Sequence, residues 1–259
     1  MLLAAVGCGV LGILIGSFLN VLIHRVPIGE SIVSPPSACP NCHTPISPRD
    51  NIPIVSWLVL RGRCRHCHTR ISARYPFVEA LTGALFAVVG ARFGFHIIVP
   101  AVLVFTAASI ALAAIDLEHR RLPDRIVFPT LIMEGALLVL AGLIDHRPRS
   151  IAMAAVGAVI AGGFLFVVWF AVPKALGFGD VKYGLVFGAL LGWFGLGHVV
   201  IGLFLGYLCG SVIGIGMMIV KRKARGLIMP FGPSLALGAW IAALWGTEIL
   251  DWYRNLLGG

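Results

Sequence analysis

Charge is what this chain has least of. Asp, Glu, Lys and Arg together make up 12% of its 259 residues, against about 25% in a soluble globular protein. With 59% apolar residues and a mean hydropathy of +0.96, the expected solvent is a bilayer. Other absences narrow the reading. No basic start precedes the first apolar run, 2–23, and no small-residue cleavage pattern follows it. A retained helix is therefore expected there, not a removed signal peptide. No glycine-rich nucleotide loop of the soluble type is visible. Internal repeats, the mark of many transporters, are missing too.

What is present is a series of apolar runs around one long polar segment. Runs follow 2–23 at 76–92, 96–115, 126–144, 151–172, 181–196, 198–220 and 231–250. Each approaches the roughly 20 residues that a membrane helix needs. The expected fold is all-α: a polytopic bundle of about eight spans. The run 181–196 is short and Gly-rich, so a tilted, broken or partial span is expected there. The expected organisation is a first transmembrane helix (1–23), a polar domain (24–75) and a transmembrane core (76–259).

The net charge of +9 raises nucleic acid as a partner only until the basic residues are placed. With the N-terminus outside and the spans alternating, the first inner segment holds Arg25, Arg49, Arg61, Arg63, Arg65, Arg70 and Arg74. The later inner segments hold Arg120, Arg121 and Arg125, then Lys174 and Lys182, then Lys221, Arg222, Lys223 and Arg225. Arg92, Arg147, Arg149 and Arg254 fall outside. Sixteen of the 20 basic residues thus lie on one side, as the positive-inside rule requires. Lipid, not nucleic acid, then accounts for the basic balance.

Four of the six cysteines stand in two C-x2-C pairs, Cys39-Pro-Asn-Cys42 and Cys64-Arg-His-Cys67. Two such pairs let four thiolates converge on one zinc ion in a closed structural site. A reducing cytoplasmic side disfavours disulfides, and a knob without metal is the alternative. Nearby His43, His66 and His68 are read as surface residues, because four thiolates complete the shell. Cys8 and Cys209 are read as packing residues.

The chain has only eleven acids. Glu79, Asp116, Glu134 and Asp180 fall in or at the edge of apolar runs. Charge in lipid costs several kcal/mol unless it is paired or protonated, so such residues are functional candidates. Asp116 closes the third run and Asp180 opens the sixth in Gly177-Phe-Gly179-Asp180-Val-Lys182. Both therefore fall at the same rim of the membrane, and they meet only if the third and sixth spans pack together. Two close carboxylates share a proton. One then activates water as a general base while the other polarises a carbonyl and protonates a leaving amine. Taken singly, each has a plainer reading: Asp180 as a helix N-cap, Asp116 as a partner of Arg120 or Arg121. Glu79 and Glu134 read as helix–helix hydrogen-bond partners.

These pieces, in order, resemble the bacterial type IV prepilin peptidases. The resemblance begins with Gly16-Ser-Phe-Leu-Asn20 and His24-Arg25-Val-Pro27. It continues through both cysteine pairs, the stretch Asp50 to Cys64, and Ile71-Ser-Ala-Arg-Tyr-Pro76-Phe-Val-Glu79. The segments Asp116 to Asp124, Gly177 to Lys182 and Pro230-Phe-Gly-Pro233 complete it. The resemblance implies catalytic roles for Asp116 and Asp180 and a zinc-type site at Cys39, Cys42, Cys64 and Cys67. It also implies an enzyme of the bacterial inner membrane that cuts a short basic leader from type IV prepilins or pseudopilins on the cytoplasmic side. By the same resemblance the enzyme then methylates the new N-terminus with S-adenosylmethionine, the segment Gly16 to Arg74 being the candidate region for that activity. An inner-side Arg, or Lys182, would pair with an acidic residue of the substrate. Two other classes stay open on the residues alone: an intramembrane aspartic peptidase with other substrates and no methyltransferase activity, and a non-enzymatic transporter or assembly scaffold.

Overall fold

The structure is a computed structural model that describes residues 1–173, 176–221 and 230–258. Lys174, Arg222, Lys223 and Arg225, counted above on the inner side, lie outside the described residues. The described chain is helical: α1 (Leu2–Ile28), α2 (Val55–Val59), α3 (Arg74–Phe93), α4 (Val99–His119), α5 (Asp124–Ile144), α6 (Pro148–Ala171), α7 (Phe178–Phe194), α8 (Leu196–Lys221) and α9 (Gly232–Leu256), with a 3₁₀ turn at Pro48–Asp50. Isolated bridges, Ala38 to Pro45 and Arg63 to Arg70, occur in the polar segment.

Each of the eight apolar runs is a helix. Among the described residues, seven helices are long and apolar enough to cross a membrane. The exception is α7. Its 17 residues span about 26 Å at 1.5 Å per residue, short of a bilayer core. Gly195, at φ 135°, ends it, and α8 starts at once. Yet α7 is the most enclosed helix. Tyr183, Val186, Phe187, Leu190 and Leu191 are almost fully buried, and α4, α5, α6, α8 and α9 all pack against it. A helix walled in by other helices does not have to match the lipid thickness itself. The outer helices are reversed in character. Val10, Leu14 and Phe18 of α1, and Val159, Val167 and Phe170 of α6, are exposed. Apolar side chains facing outward are what a lipid solvent calls for.

The chain divides into two compact units, Met1–Phe95 and His96–Gly259. In the first, α1 and α3 pack through small residues. A Cβ at Gly12 would sit 2.6 Å from the Thr82 carbonyl oxygen, and one at Gly16 would sit 2.7 Å from Glu79 Cα. In the second unit the same device joins α6 to α7, where Gly188 and Gly192 meet Gly157, and α8 to α9, where Gly238 meets Gly202 and Gly206. Lipid offers apolar side chains no hydrophobic gain for pairing, so close backbone approach and van der Waals contact hold such helices together. The spacing of four, as in Gly202-x3-Gly206, was readable in the sequence.

Valine at Gly188 is expected to destabilise the protein by roughly 1–3 kcal/mol through overpacking, seen as a lower melting temperature in detergent. Valine at Gly163, which has open space around it, is expected to leave melting unchanged.

Candidate functional site

Asp116 lies one turn from the end of α4, and Asp180 is the third residue of α7. Both are buried, at 5% and 7% exposure, and their carboxylates lie close enough for the charges to interact. The register is held deeper in the unit. The Ser109 and Tyr183 hydroxyls share a hydrogen bond of 2.7 Å, and the Phe105 and Tyr183 rings stack at 6.4 Å. Ser109 is two turns before Asp116 and Tyr183 one turn after Asp180. The same faces of α4 and α7 that carry these contacts therefore carry the aspartates.

Each carboxylate is tethered by one glycine. Gly232 N–H donates to Asp116 Oδ2 at 3.0 Å, and Gly177 N–H donates to Asp180 Oδ2 at 3.0 Å. The N-cap of α7 is Gly177; Asp180 sits at N3 and reaches back to it, one arm of a capping box. Asp180 Oδ1 is buried and has no hydrogen-bonding partner among the described residues. One oxygen of Asp180 is thus held by Gly177 and the other is left without a hydrogen-bonding partner among the described residues. Asp116 turns inward to α9, while Arg120, at φ 53°, caps α4 by donating its N–H to the Asp116 carbonyl.

Sequence reasoning gives no role to Leu122 or Gly232, and to Gly179 only that, with Gly177, it lets the backbone bend and a substrate strand come close to Asp180. Leu122 is buried and packs over both glycines. A Cβ on Gly179 would lie 3.0 Å from Leu122 Cβ, and one on Gly232 would lie 2.9 Å from Asp116 Oδ2 and 3.2 Å from Leu122 Cδ2. Absence of side chains at these two positions makes room for the pair. The signal was the glycines beside the motif residues, but nothing local says which backbone they touch.

Lys182 has a partner within the chain. Its Nζ bonds both oxygens of Asp124, at 2.7 and 2.8 Å, and sits over the Phe178 and Phe128 rings at 5.1 and 5.6 Å. This pairing counts against Lys182 as the group held ready for a substrate acid. Glu79, on α3, accepts the Ile54 N–H at 2.6 Å and a hydrogen bond from Ser17 of α1. The helix–helix role expected for it is therefore present, with a loop contact added. Glu134 differs: it is fully buried on α5, and neither oxygen meets a hydrogen-bonding partner among the described residues.

Within the first unit the two cysteine pairs form one cluster. The four Sγ atoms of Cys39, Cys42, Cys64 and Cys67 lie within 4.8 Å of one another. Cys39 to Cys67 is 3.7 Å and Cys42 to Cys64 is 4.0 Å. A tetrahedron with metal–sulfur bonds of about 2.3 Å has edges of about 3.8 Å, so the spacing suits a four-thiolate metal site. All four are free thiols. The two halves are built alike, on Cys-x-x-Cys-His-Thr. Cys39 N–H donates to the Thr44 carbonyl and Cys64 N–H to that of Thr69. His43 and His68 follow with φ of 55° and 56°, so each histidine serves a turn. Hydrogen bonds from the Thr69 hydroxyl, then its backbone and Asn41, pull the Cys67 thiol down to about 5; Thr44 lowers Cys42 in the same way. Beside the cluster, Arg65 Nε and Nη2 clamp Asp50 at 2.8 and 2.6 Å, which holds the Asp50 carboxyl below its usual range.

A polytopic helical chain with two interacting carboxylates at the ends of packed helices, and a separate four-thiol cluster, has the form of a membrane aspartic peptidase. Residues 10–93 match the bacterial peptidase A24 N-terminal domain, and residues 103–215 match the type IV leader peptidase family. The chain is 38% identical to a prepilin leader peptidase/N-methyltransferase of Aeromonas hydrophila, over 93% of this chain and 90% of that one. It is 35% identical to one of Pseudomonas aeruginosa, over 99% and 96%, and 37% identical to one of Neisseria gonorrhoeae, over 90% and 87%. No solved structure was found to match it. The chain belongs to the type IV leader peptidase family and is a multi-pass membrane protein of bacterial type. The cysteine cluster falls within the first matched segment, and Asp116 and Asp180 within the second.

Because Thr69 is the leading cause of the low Cys67 value, Thr69→Val is expected to raise that thiol toward the ordinary value of about 8.5. At pH 6.5 the wild-type thiol is mainly thiolate, and the variant, which keeps the backbone and Asn41 hydrogen bonds, is thiolate to a smaller extent. Iodoacetamide labelling of chelator-treated protein, read by mass spectrometry, should therefore slow at Cys67.

Proposed function

We propose that Asp116 and Asp180 are the catalytic pair of a peptidase that removes the leader from type IV prepilins or pseudopilins at the cytoplasmic face of the bacterial inner membrane. The observation that carries this is the pair itself: two buried, interacting carboxylates, each tethered through one oxygen to a glycine N–H. They lie in a chain that resembles prepilin leader peptidases along most of its length.

The tethers leave one oxygen of each carboxylate for the reaction. An ionised carboxylate takes a proton from water, and the hydroxyl adds to the scissile carbonyl carbon. The protonated partner donates to the carbonyl oxygen as the double bond opens. When the tetrahedral intermediate collapses, the C–N bond breaks and the amine leaves with a proton from the dyad. The pair titrates as a unit, so the two roles are not divided between Asp116 and Asp180.

Zinc held by Cys39, Cys42, Cys64 and Cys67 fits the thiol spacing and would supply a closed structural crosslink. The relatives' names support a second activity, N-methylation, with S-adenosylmethionine as donor and residues 16–74 as the candidate region. A polar pocket there, lined by Asn20, His24, Ser72, Arg74 and Tyr75, holds about 140 Å³. That is below the roughly 300 Å³ of a small-molecule site, and no step is assigned to it. The basic-residue asymmetry supports an outer N-terminus and a cytoplasmic cysteine segment.

Asp116→Asn and Asp180→Asn, each alone, are expected to abolish cleavage of a purified prepilin in detergent while the protein still inserts; full activity in either would sink the dyad. Cys39→Ser with Cys42→Ser is expected to remove bound zinc, measured by elemental analysis, and wild-type protein purified without zinc would refute the metal. Mass spectrometry of a prepilin incubated with enzyme and S-adenosylmethionine reads both activities, as loss of the leader and gain of a methyl group.

A further inference from the structure

The polar segment between α1 and α3 contains one apolar element that neither the pair nor the cluster uses. Helix α2 exposes Val55, Leu58 and Val59, at 52%, 62% and 70%, with Ile52 just before it at 50%. Spacings of three and four put Val55, Leu58 and Val59 on one stripe. The other face is held by polar contacts. Ser56 Oγ donates to the Arg49 carbonyl at 3.0 Å and accepts the Ile52 N–H at 3.0 Å. Trp57 Nε1 donates to the Ile71 carbonyl at 3.2 Å, and its ring lies over Gly62. A helix bathed in water would carry its apolar stripe inward; this one carries it outward.

A hydrogen bond ties its start to α3. Ile54, the residue before α2, donates its N–H to Glu79 Oε2 at 2.6 Å with its own backbone at φ 61°. That conformation is unfavourable for a β-branched residue, and Glu79 is part of what holds it. Glu79 lies five residues into α3, about 7.5 Å from its first residue at 1.5 Å per residue. The start of α2 is thus tied to the first turns of a membrane helix, the end of a span where amphipathic interfacial segments lie. Exposed Arg61 and Arg63 follow directly, placed for anionic headgroups. Ile28 at the end of α1 and Phe77 in the first turn of α3 are exposed apolar residues as well.

We propose that α2 is an interfacial anchor: Ile52, Val55, Leu58 and Val59 enter the bilayer that α1 and α3 cross, and Arg61 and Arg63 contact its anionic headgroups. The anchor holds the cysteine module against the membrane surface.

The test uses the full chain in nanodiscs of phosphatidylethanolamine and phosphatidylglycerol that carry a diazirine near the glycerol end of the acyl chain. After irradiation, lipid adducts are mapped by mass spectrometry. Adducts on residues 52–59 are expected at yields comparable to those on Phe77, and they should persist with saturating prepilin. Labelling of α1 and α3 with none on 52–59 would overturn the proposal. So would loss of those adducts on adding prepilin, which would assign the stripe to the substrate. Leu58→Asp is expected to remove most adducts from 52–59 while leaving those on Phe77; unchanged labelling would also overturn it.

Discussion

An ionised group in hydrocarbon is expensive, and the arrangement of this protein follows from that cost. Acids near the membrane are few, and most are tied to something. Asp116 and Asp180 each take a glycine N–H, Glu79 takes the N–H of Ile54, and Asp124 takes Lys182. The tethers orient as well as stabilise. A carboxylate fixed through one oxygen presents the other in a set direction, which is what the proposed catalytic pair needs before water and substrate arrive. Glu134 is the exception: it is buried on α5 with no hydrogen-bonding partner among the described residues.

The same solvent explains the heavy use of glycine. In water, burying side chains drives helices together; in lipid that gain is absent, so the backbones themselves approach. Glycines at Gly157, Gly188 and Gly192, and again at Gly202, Gly206 and Gly238, permit this. The result is a short α7 enclosed by longer helices, with Asp180 at its start and Ser109 and Tyr183 keying it to α4. Gly179 and Gly232 serve the site more directly, because any side chain there would press on Leu122 or on the Asp116 carboxylate.

The first unit meets a different problem. Its polar segment is too short to bury much of a core, so it relies on local devices. Two matched Cys-x-x-Cys-His-Thr turns gather four thiols, Thr44 and Thr69 favour the thiolate form of Cys42 and Cys67, and Asp50 with Arg65 clamps the adjoining turn. Thiolate preference at Cys42 and Cys67 and near-tetrahedral spacing both suit a four-thiolate metal site.

Much of this was legible in the chain. Apolar runs marked every long helix to within six residues at either end, because a bilayer demands long apolar stretches. The paired C-x2-C spacing marked the thiol cluster, because local turns bring those sulfurs within reach. The ordered motifs identified the family. The repeated His-Thr after each cysteine pair is equally visible. Other features belong to the folded state alone. No local pattern says that Gly232, 116 residues from Asp116, supplies its tether, that Lys182 is spent on Asp124, or that Ile54 is held by Glu79. Nor does any pattern say that a 17-residue helix will be walled in by its neighbours. The sequence by itself determined the solvent, the helices and the cysteine cluster, because those follow from composition and short-range spacing. Only the tertiary structure decided which helices touch and which backbone amide meets which carboxylate, because close approach between helices depends on both surfaces at once.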